Sequence, residues 1–378
     1  MFAPSANAGY VPHVNFEFSD EQEALRGSVR RFLEDRAPIA YVRAVWDDPT
    51  GTTDGVWEGL GNLGVTGLLV PEARGGAGGG MVDVAVVCEE LGRAVNPGPF
   101  VSSAVAVAGL VTDLDPDDAL LTGLATGATV GCLALAEPGR RDDWRNPGTL
   151  AVPANDGWAL TGTKVRVPDL LGAGVVLVTA TAGAELGVFA VETAAASVEP
   201  TPAIDGTRRF GTLTLTDTPA RRIGTGDASA AVATTVDRVH TAWVVDGLGA
   251  AQRAMEMTVD YATERRQFDA PIGSFQAVQH LCADMLRNVE LARAASYYAC
   301  WALDAADRAE AHRATTMALA FAADGLAAVG ASAIQVHGGI GYTWEHDAHL
   351  YYKRLLTLQG LGGGTTDHLE ELAAIVLD

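Results

Sequence analysis

The chain has 378 residues, of which 48% are hydrophobic and 19% are charged, with a formal net charge of −21. That length is enough for two or three domains with substantial cores, and the negative charge argues against binding to nucleic acid or to an anionic membrane surface. The cysteines are scattered without CxxC spacing, so we expect buried thiols in a reducing cytoplasm and no metal site.

Helical signals dominate the first third of the chain. Residues 1–15 are rich in Pro, Asn and Gly, which predicts a loose tail, and no signal-peptide pattern is present. Ser19 and Gln22 have the spacing of a capping box at the start of a helix. More helix is predicted near residues 57–63 and 82–95, so residues 16–127 are expected to form an N-terminal helical domain.

The glycine run at residues 74–80 separates two of these helices. It lacks the Gly-Lys-Ser/Thr ending of a phosphate loop, and no strand leads into it. A flexible connector is therefore favoured over a phosphate-binding loop.

The middle of the chain changes from helical to alternating periodicity. Apolar and polar residues alternate at 158–164 and 210–215, with frequent Gly, Pro and Asp between such runs. This pattern is typical of short antiparallel strands. We therefore predict that residues 128–225 form a small β barrel or sandwich.

Helical periodicity returns after Ala228. A stripe of apolar residues at i, i+3 and i+4 spacing runs from Phe275 to Ala292, and residues 314–329 are almost continuously apolar without reaching the roughly 20 residues of a membrane span. Helices buried on several sides belong in a bundle. Residues 226–378 are thus predicted to form a C-terminal four-helix bundle, and the chain a multidomain α+β protein.

Two segments of this bundle combine polar side chains with points where the backbone can approach a ligand. Arg265 offers a planar, permanently charged fork that suits phosphate oxygens. Gly338 and Gly339 remove side chains where a helix ends. The candidate cofactor-binding residues of the two segments are Arg265, Gln267, Phe268, Gln276, Gln335, Gly338 and Gly339.

Together these segments resemble the flavin-binding segments of the acyl-CoA dehydrogenase family, and the resemblance covers nearly the whole chain. Glu-Glu-Leu-Gly-Arg at 89–93 resembles its N-terminal signature, and Ala-Glu-Pro at 136–138 the start of its flavin-ring loop. The resemblance implies FAD as cofactor, an acyl-CoA thioester as substrate and electron-transfer flavoprotein as electron acceptor. It also implies that the candidate residues contact the ADP side of an FAD whose ring sits in a neighbouring subunit. The alternative interpretation is helix surface charge followed by a glycine helix stop.

Three segments depart from the family pattern. The flavin-ring loop continues with Gly-Arg-Arg-Asp-Asp at 139–143, where bulky charges replace small polar residues. The segment at 164–169 lacks the aromatic and the hydroxyl that the family places against the flavin. By family spacing, Gly363 stands at the position of the common catalytic glutamate and Val239 at the alternative position of the base.

Asp246 and His240 are the remaining candidates for roles near a substrate. Asp246 follows Val239 by about two helical turns, and its apolar neighbours in sequence would raise its pKa toward that of a useful base. The alternative is a buried aspartate bonded to a neighbouring helix. His240 stands where many relatives have an arginine near the substrate, which makes it a candidate substrate contact.

The resemblance and its departures indicate a subunit of a heteromeric acyl-CoA dehydrogenase in which two unlike chains share FAD sites. By resemblance the substrate is a bulky acyl-CoA thioester of the sterol side-chain type. Two alternatives remain open: a homotetrameric dehydrogenase with a non-standard base, and a catalytically silent scaffold subunit.

Overall fold

The computed structural model describes residues 18–140, 143–154 and 157–377, and the predicted tail at 1–15 lies outside them. The described chain runs from helices to strands and back to helices, which confirms the predicted three-part α+β fold. The change from helices to strands falls between Thr126 and Gly131, and the predicted domain boundary is at 127. The change back to helices falls between Ile223 and Ser229, and the predicted boundary is at 225.

From residue 18 onward, the N-terminal part contains six α-helices, two short 3-10 turns at Val65–Gly67 and Glu72–Arg74, and a π-helical turn at Val101–Val107 that runs directly into the fifth helix. The helices are α1 (Asp20–Arg36), α2 (Ile39–Ala44), α3 (Asp54–Asn62), α4 (Met81–Arg93), α5 (Ala108–Leu114) and α6 (Leu120–Thr126). The predicted capping box is confirmed, because the Gln22 amide donates to Ser19 Oγ at 3.2 Å and the Ser19 amide donates to Gln22 Oε1 at 3.1 Å.

The middle part is a closed barrel. Its strands are β1 (Gly131–Ala134), β2 (Leu150–Ala154), β3 (Gly157–Pro168), β4 (Val175–Ala182), β5 (Glu185–Glu192), β6 (Ser197–Thr201) and β7 (Phe210–Ile223). The order β4-β2-β3-β7-β5 closes through pairing of β5 with β4, while β1 adds to β4 and β6 to β7. The ladder is antiparallel as expected, except that β1 and β2 run parallel to β4. Leu213 and Leu215 of β7 point into the barrel core, as their alternation predicts.

The C-terminal part is a four-helix bundle with one further helix packed against it. It contains α7 (Ser229–Glu264), the short strands β8 (Arg266–Gln267) and β9 (Ala270–Pro271), α8 (Gln276–Ala305), α9 (Arg308–His337), α10 (Ala348–Gly360) and α11 (Thr365–Leu377). Helices α7 to α10 pack on one another, and α11 packs on α9.

One helical segment of the described residues, Arg308–Tyr342, is long and apolar enough to cross a membrane by length and composition. In the structure 61% of its apolar window is buried, and it packs against α7, α8, α10 and α11. The apolar run therefore forms the core helix of the bundle.

The predicted apolar stripe on α8 is buried only in its second half. Met285, Val289 and Ala292 enter the core, whereas Phe275 is 37% exposed and Cys282 is half-buried. The first half of the stripe is thus uncovered in a single copy of the chain.

Helices α4 and α7 touch through glycines, which joins the N-terminal part to the bundle. A Cβ atom at Gly92 would lie 1.8 Å from the Asp246 carbonyl oxygen, and one at Gly249 would lie 1.9 Å from the Glu89 carbonyl oxygen. Since no side chain fits at either position, glycine is required for this approach.

Candidate active site and cofactor surface

A cavity of about 490 Å³ lies where the three parts of the chain meet. Its volume is in the range of small-molecule sites. The π-helical turn, the barrel, and helices α7, α9, α10 and α11 all contribute to its walls. The apolar lining includes Val101, Leu133, Val167, Leu319 and Leu356.

A series of paired, charged side chains lies along one wall of this cavity. His312 of α9 contacts Asp237 of α7 through Nδ1, 3.1 Å from Oδ1, and Glu371 of α11 through Nε2, 3.3 Å from Oε1. Arg308 pairs with the other Asp237 oxygen. The Arg308 and Glu371 side chains are each 42% exposed, so both ends of this series of contacts are accessible to solvent.

The pKa values of this cluster follow from the pairing. Hydrogen bonds to Asp237 and then to Glu371 raise the pKa of His312 to about 9, so the imidazole is a cation at neutral pH. Burial alone would raise the pKa of Asp237, but His312 and Arg308 outweigh it and hold that pKa below its usual value. The hydrogen bond from His312 likewise lowers the pKa of Glu371.

His240 lines the same cavity beside the glycine run that follows α10. A Cβ atom at Gly362 would lie 2.5 Å from His240 Nε2, so the imidazole takes up space that a side chain at 362 would need. Gly362 and Gly363 have φ values of 70° and 112°, a conformation that favours glycine. The structure therefore places His240 in the cavity, as a substrate contact requires, and gives the backbone reason for glycine at 362 and 363.

The structure corrects the expectations for Asp246. Its side chain does not line the cavity and is 3% exposed. Arg354 donates to both carboxylate oxygens, from Nε at 2.8 Å and Nη2 at 2.7 Å, and Arg208 Nη2 donates to Oδ1 at 2.8 Å. Burial by itself would raise the pKa of Asp246, but the two guanidinium groups lower it overall, opposite to the predicted direction. The geometry favours the alternative of a buried structural aspartate.

The segment that resembles the flavin-ring loop is anchored by a buried ion pair. Glu137 accepts a hydrogen bond from Lys164 Nζ at 2.8 Å and from the Thr149 amide at 2.9 Å. Burial alone would raise the pKa of Glu137, but the hydrogen bonds from Lys164 and Thr149 lower it to about 2. Two charged members of the predicted loop, Arg141 and Asp142, lie outside the described residues.

Two residues of β3 in the segment that differs from the family pattern lie at the cavity. Arg166 and Pro168 both line it, at the segment where the family is expected to place an aromatic and a hydroxyl. The cavity wall at this segment thus carries a guanidinium and a proline in place of the aromatic and the hydroxyl that the resemblance implies.

The candidate ADP-side residues lie on an exposed surface at one end of the bundle. Arg265 follows α7, and Phe268 is 90% exposed at the tip of the β8–β9 hairpin with a φ of 52°. Tyr261, one turn before Arg265, stacks on His337 with ring centroids 4.6 Å apart. That contact brings the Arg265 segment next to Gly338, which follows His337 directly.

This surface suits the ADP part of FAD. The side chains of Gln267, Gln276 and Gln335 are exposed, and a Cβ atom at Gly338 or Gly339 would meet nothing within 4 Å. An accessible guanidinium, amide groups and uncovered backbone are the groups that bind phosphate and ribose. The residues present therefore fit the cofactor.

The Glu-Glu-Leu-Gly-Arg segment on α4 has a structural role that its sequence did not reveal. Glu89 pairs with Arg293 of α8, Glu90 with Arg30 of α1 at 2.6 Å, and Arg93 with Glu256 of α7 at 2.6 Å. These pairs fix α4 to three helices, and no sequence signal identifies partners so far away along the chain. Within the described residues, no group of three or more His, Cys, Asp or Glu side chains is placed to hold a metal ion.

Comparison with known proteins identifies the family. Residues 19–113 match the model for the acyl-CoA dehydrogenase N-terminal domain, and residues 224–377 match the C-terminal domain model. Acyl-CoA dehydrogenase IpdE2 of Mycobacterium tuberculosis is 34% identical over 89% of this chain and 91% of its own length. Acyl-CoA dehydrogenase FadE34 of the same organism is 35% identical over 94% of this chain but 48% of its own length.

Two solved structures share the architecture over almost the whole chain. One is the Tcur3481-Tcur3483 steroid ACAD G363A variant, with a TM-score of 0.87, 34% identity, and coverage of 94% of this chain and 98% of the other. The second is the ChsE4-ChsE5 complex from Mycobacterium tuberculosis, with a TM-score of 0.88 and 25% identity. The match covers 97% of this chain and 99% of the other. The chain therefore belongs to the acyl-CoA dehydrogenase family, FAD-dependent oxidoreductases that act on acyl-CoA thioesters.

Proposed function

We propose that this chain is one subunit of a heteromeric acyl-CoA dehydrogenase that shares its FAD sites with a second, unlike chain. The reaction is α,β-dehydrogenation of a bulky acyl-CoA thioester of the sterol side-chain type, in the cytoplasm. The observation that carries this proposal is the contrast between the two halves of the cofactor site. The ADP-side surface is complete and exposed, whereas the ring side has Arg166 and Pro168 and no carboxylate at 239 or 363.

The exposed ADP-side surface supports binding across a subunit interface. Phe268 is 90% exposed and Phe275 is 37% exposed, and their ring centroids lie 6.2 Å apart. Both aromatic residues closely follow Arg265 in the sequence. Exposed aromatic side chains next to a charged fork are typical of an interface centre. A partner chain that covers this surface would supply the ring side of the same FAD.

The relatives support an assembly of two unlike chains and a steroid-like substrate. The two similar solved structures described above are two-component proteins by name, and one of them is a steroid enzyme. The cavity of about 490 Å³, with its apolar walls, has room for more than a short unbranched chain. We infer electron-transfer flavoprotein as the electron acceptor from the family resemblance.

Each side chain has a role that follows from its chemistry. Bound FAD supplies the acceptor for the β-hydrogen of the substrate. Arg265 holds the pyrophosphate, and Gln267, Gln276 and Gln335 orient the ribose and adenine side through hydrogen bonds. The apolar cavity walls hold the acyl chain and exclude water, which strengthens electrostatic interactions at the thioester.

Purification of the chain alone, and together with a co-expressed acyl-CoA dehydrogenase chain from its genomic neighbourhood, tests the proposal. We expect flavin absorbance in the complex and bleaching of that absorbance on addition of a sterol-side-chain acyl-CoA. A yellow, active homotetramer would support the alternative of a self-sufficient enzyme. A complex that holds FAD but never bleaches with any acyl-CoA would support the silent scaffold.

A further inference from the structure

We propose that His337 is a positioning residue for FAD, whose imidazole holds the end of α7 against the end of α9 so that Arg265 and Gly338 reach the same cofactor. This inference rests on one part of the proposed function, the binding of the ADP part of FAD to the exposed end of the bundle. It needs neither the cavity nor a flavin ring bound to this chain. It follows from the contacts of a single buried side chain.

The His337 ring lies at the centre of a cluster of three rings. His337 is the last residue of α9 and is 4% exposed. Its ring stacks on Tyr261 of α7, with centroids 4.6 Å apart and ring planes at 28°. The ring of His346, in the segment before α10, lies 4.3 Å from that of His337 and 6.3 Å from that of Tyr261 between centroids. The cluster therefore joins α7, α9 and the segment that leads into α10.

The same side chain supports the glycine turn, the 3-10 turn formed by Gly338–Tyr342. A Cβ atom at Gly341 would lie 3.0 Å from the His337 Cβ, so the turn folds back directly onto this residue. On the other segment, Tyr261 lies one helical turn before Arg265. Both halves of the ADP-side surface thus rest on one imidazole, and loss of that ring should loosen their relative position.

The hydrogen bonds of His337 fix its neutral form. Nδ1 lies 2.8 Å from the Ala333 carbonyl oxygen, which can only accept, so Nδ1 carries the hydrogen and Nε2 the lone pair. Nε2 is buried and, among the described residues, has no hydrogen-bond partner. A proton added there would be a buried charge without an acceptor. Burial lowers the pKa of His337, the bond to Ala333 opposes this, and His346 lowers the pKa further.

The groups around this imidazole also favour its neutral form. In the described part of the chain, the ionisable side chains that contact it are Tyr261 and His346. The His346 Nδ1 accepts from the Ala348 amide at 3.1 Å, so that nitrogen carries no proton. Burial lowers the pKa of His346, although Asp347 opposes this, and Arg43 lowers it further. Two neutral imidazoles can pack at 4.3 Å, whereas two cations at that distance repel each other, so acid should open the cluster.

Retention of FAD by the complex with its partner chain tests the inference. His337→Ala removes the ring, and His337→Phe keeps an aromatic ring that cannot be protonated. We expect the dissociation constant of FAD at pH 7.5, from flavin fluorescence on dilution, to rise roughly 3- to 10-fold in His337→Ala and less than about twofold in His337→Phe. Tyr261→Ala breaks the same stack from α7, at a half-buried position, and should match His337→Ala.

The pH dependence of retention separates positioning from charge. A cation at residue 337 would attract the pyrophosphate and tighten the binding of FAD, whereas opening of the ring cluster would release it. We expect wild type to release FAD more readily as the pH falls from about 7.5 to about 5.5, and His337→Phe to show a smaller change. The control is His349→Ala, at a buried histidine of α10 that packs on Trp344 and should not affect FAD retention.

Four results would overturn the inference. They are wild-type retention in His337→Ala, loss of FAD in His337→Phe as large as in His337→Ala, an equally large loss in His349→Ala, and wild-type binding that is unchanged or tighter in acid. If retention follows His337 as expected but no acyl-CoA bleaches the flavin, the proposed dehydrogenase function fails while the assignment of His337 stands.

Discussion

Asp246 and Arg354 form a bidentate ion pair in the core where α7 meets α10, with both carboxylate oxygens within 2.8 Å of the guanidinium. Arg208 adds a third contact at 2.8 Å. Asp246→Asn would leave the buried Arg354 guanidinium and the partly exposed Arg208 guanidinium without their counter-charge. We expect the free energy of unfolding to fall by about 3–5 kcal/mol, measured by urea denaturation.

A matched control is Asp284→Asn on α8, whose pair with Arg287 is more than half exposed on both sides. Exposed pairs contribute about 0–1 kcal/mol, so this variant should unfold almost as wild type does. If Asp246→Asn instead keeps its stability and loses turnover in the complex, the base assignment of Asp246 would have to be restored.

The His312 cluster predicts a pH dependence of stability. The folded pKa of about 9 lies above the ordinary value of 6.5, so the stabilisation is complete below pH 6.5 and is lost as the pH rises through about 9. We expect the free energy of unfolding of wild type to exceed that of His312→Gln by about 1–3 kcal/mol at pH 6, and most of that difference to be gone by pH 10. Urea titrations at several pH values measure it. His280→Gln, at an exposed histidine on α8, is the control and should change the free energy of unfolding by no more than about 0.5 kcal/mol.

The buried pair of Lys164 and Glu137 predicts a non-additive pair of substitutions. Lys164 is fully buried, so Lys164→Met leaves the Glu137 carboxylate without its cationic partner. We expect the free energy of unfolding to fall by about 3–5 kcal/mol. The double variant Lys164→Met with Glu137→Gln removes both charges and should recover a large part of that loss. A double-mutant cycle in urea measures the coupling. Equal losses in the single and double variants would show that the charge pairing is not what matters.

Arg265 predicts a specific effect on FAD. Loss of a hydrogen bond to a charged group weakens binding by about 1.5–3 kcal/mol, so Arg265→Ala in the complex should release FAD at least roughly tenfold more readily. Flavin fluorescence on dilution measures the release. Arg36→Ala, an exposed arginine on α1, is the control and should retain FAD as wild type does. Equal retention in both variants would remove Arg265 from the cofactor site.

The helix contact at Gly249 predicts a steric effect. Gly249→Ala places a methyl group 1.9 Å from a backbone oxygen of α4, so the two helices must separate, at a cost of about 1–3 kcal/mol or more. Gly55→Ala on α3 meets no atom within 4 Å and should stabilise by up to about 1 kcal/mol through helix propensity. The midpoints of thermal unfolding of the two variants and of wild type measure these stability changes. A neutral Gly249→Ala would mean that α4 and α7 can move apart freely.

The periodicities along the chain were sufficient to predict the fold because they are local. The capping box at Ser19 and the alternation around Leu213 depend on residues a few positions apart. The partners of Asp246 could not be predicted this way, since Arg208 and Arg354 approach it only in the folded chain. Apolar sequence neighbours pointed to a raised pKa, and the two distant cations reversed the direction. His312 and Glu371 were missed for the same reason, because neither stands in a motif.

The glycine contact between α4 and α7 also limits how this protein can be divided. A single hydrophobic cluster contains Leu91 of the first part together with Leu248 and Leu326 of the bundle, so the two parts share their largest core. Both should therefore unfold as one cooperative unit, and a truncated fragment that ends before α7 would expose the face of α4 that the bundle covers. Exchange of N-terminal segments between relatives during evolution would succeed only where both sides of the crossover retain glycine.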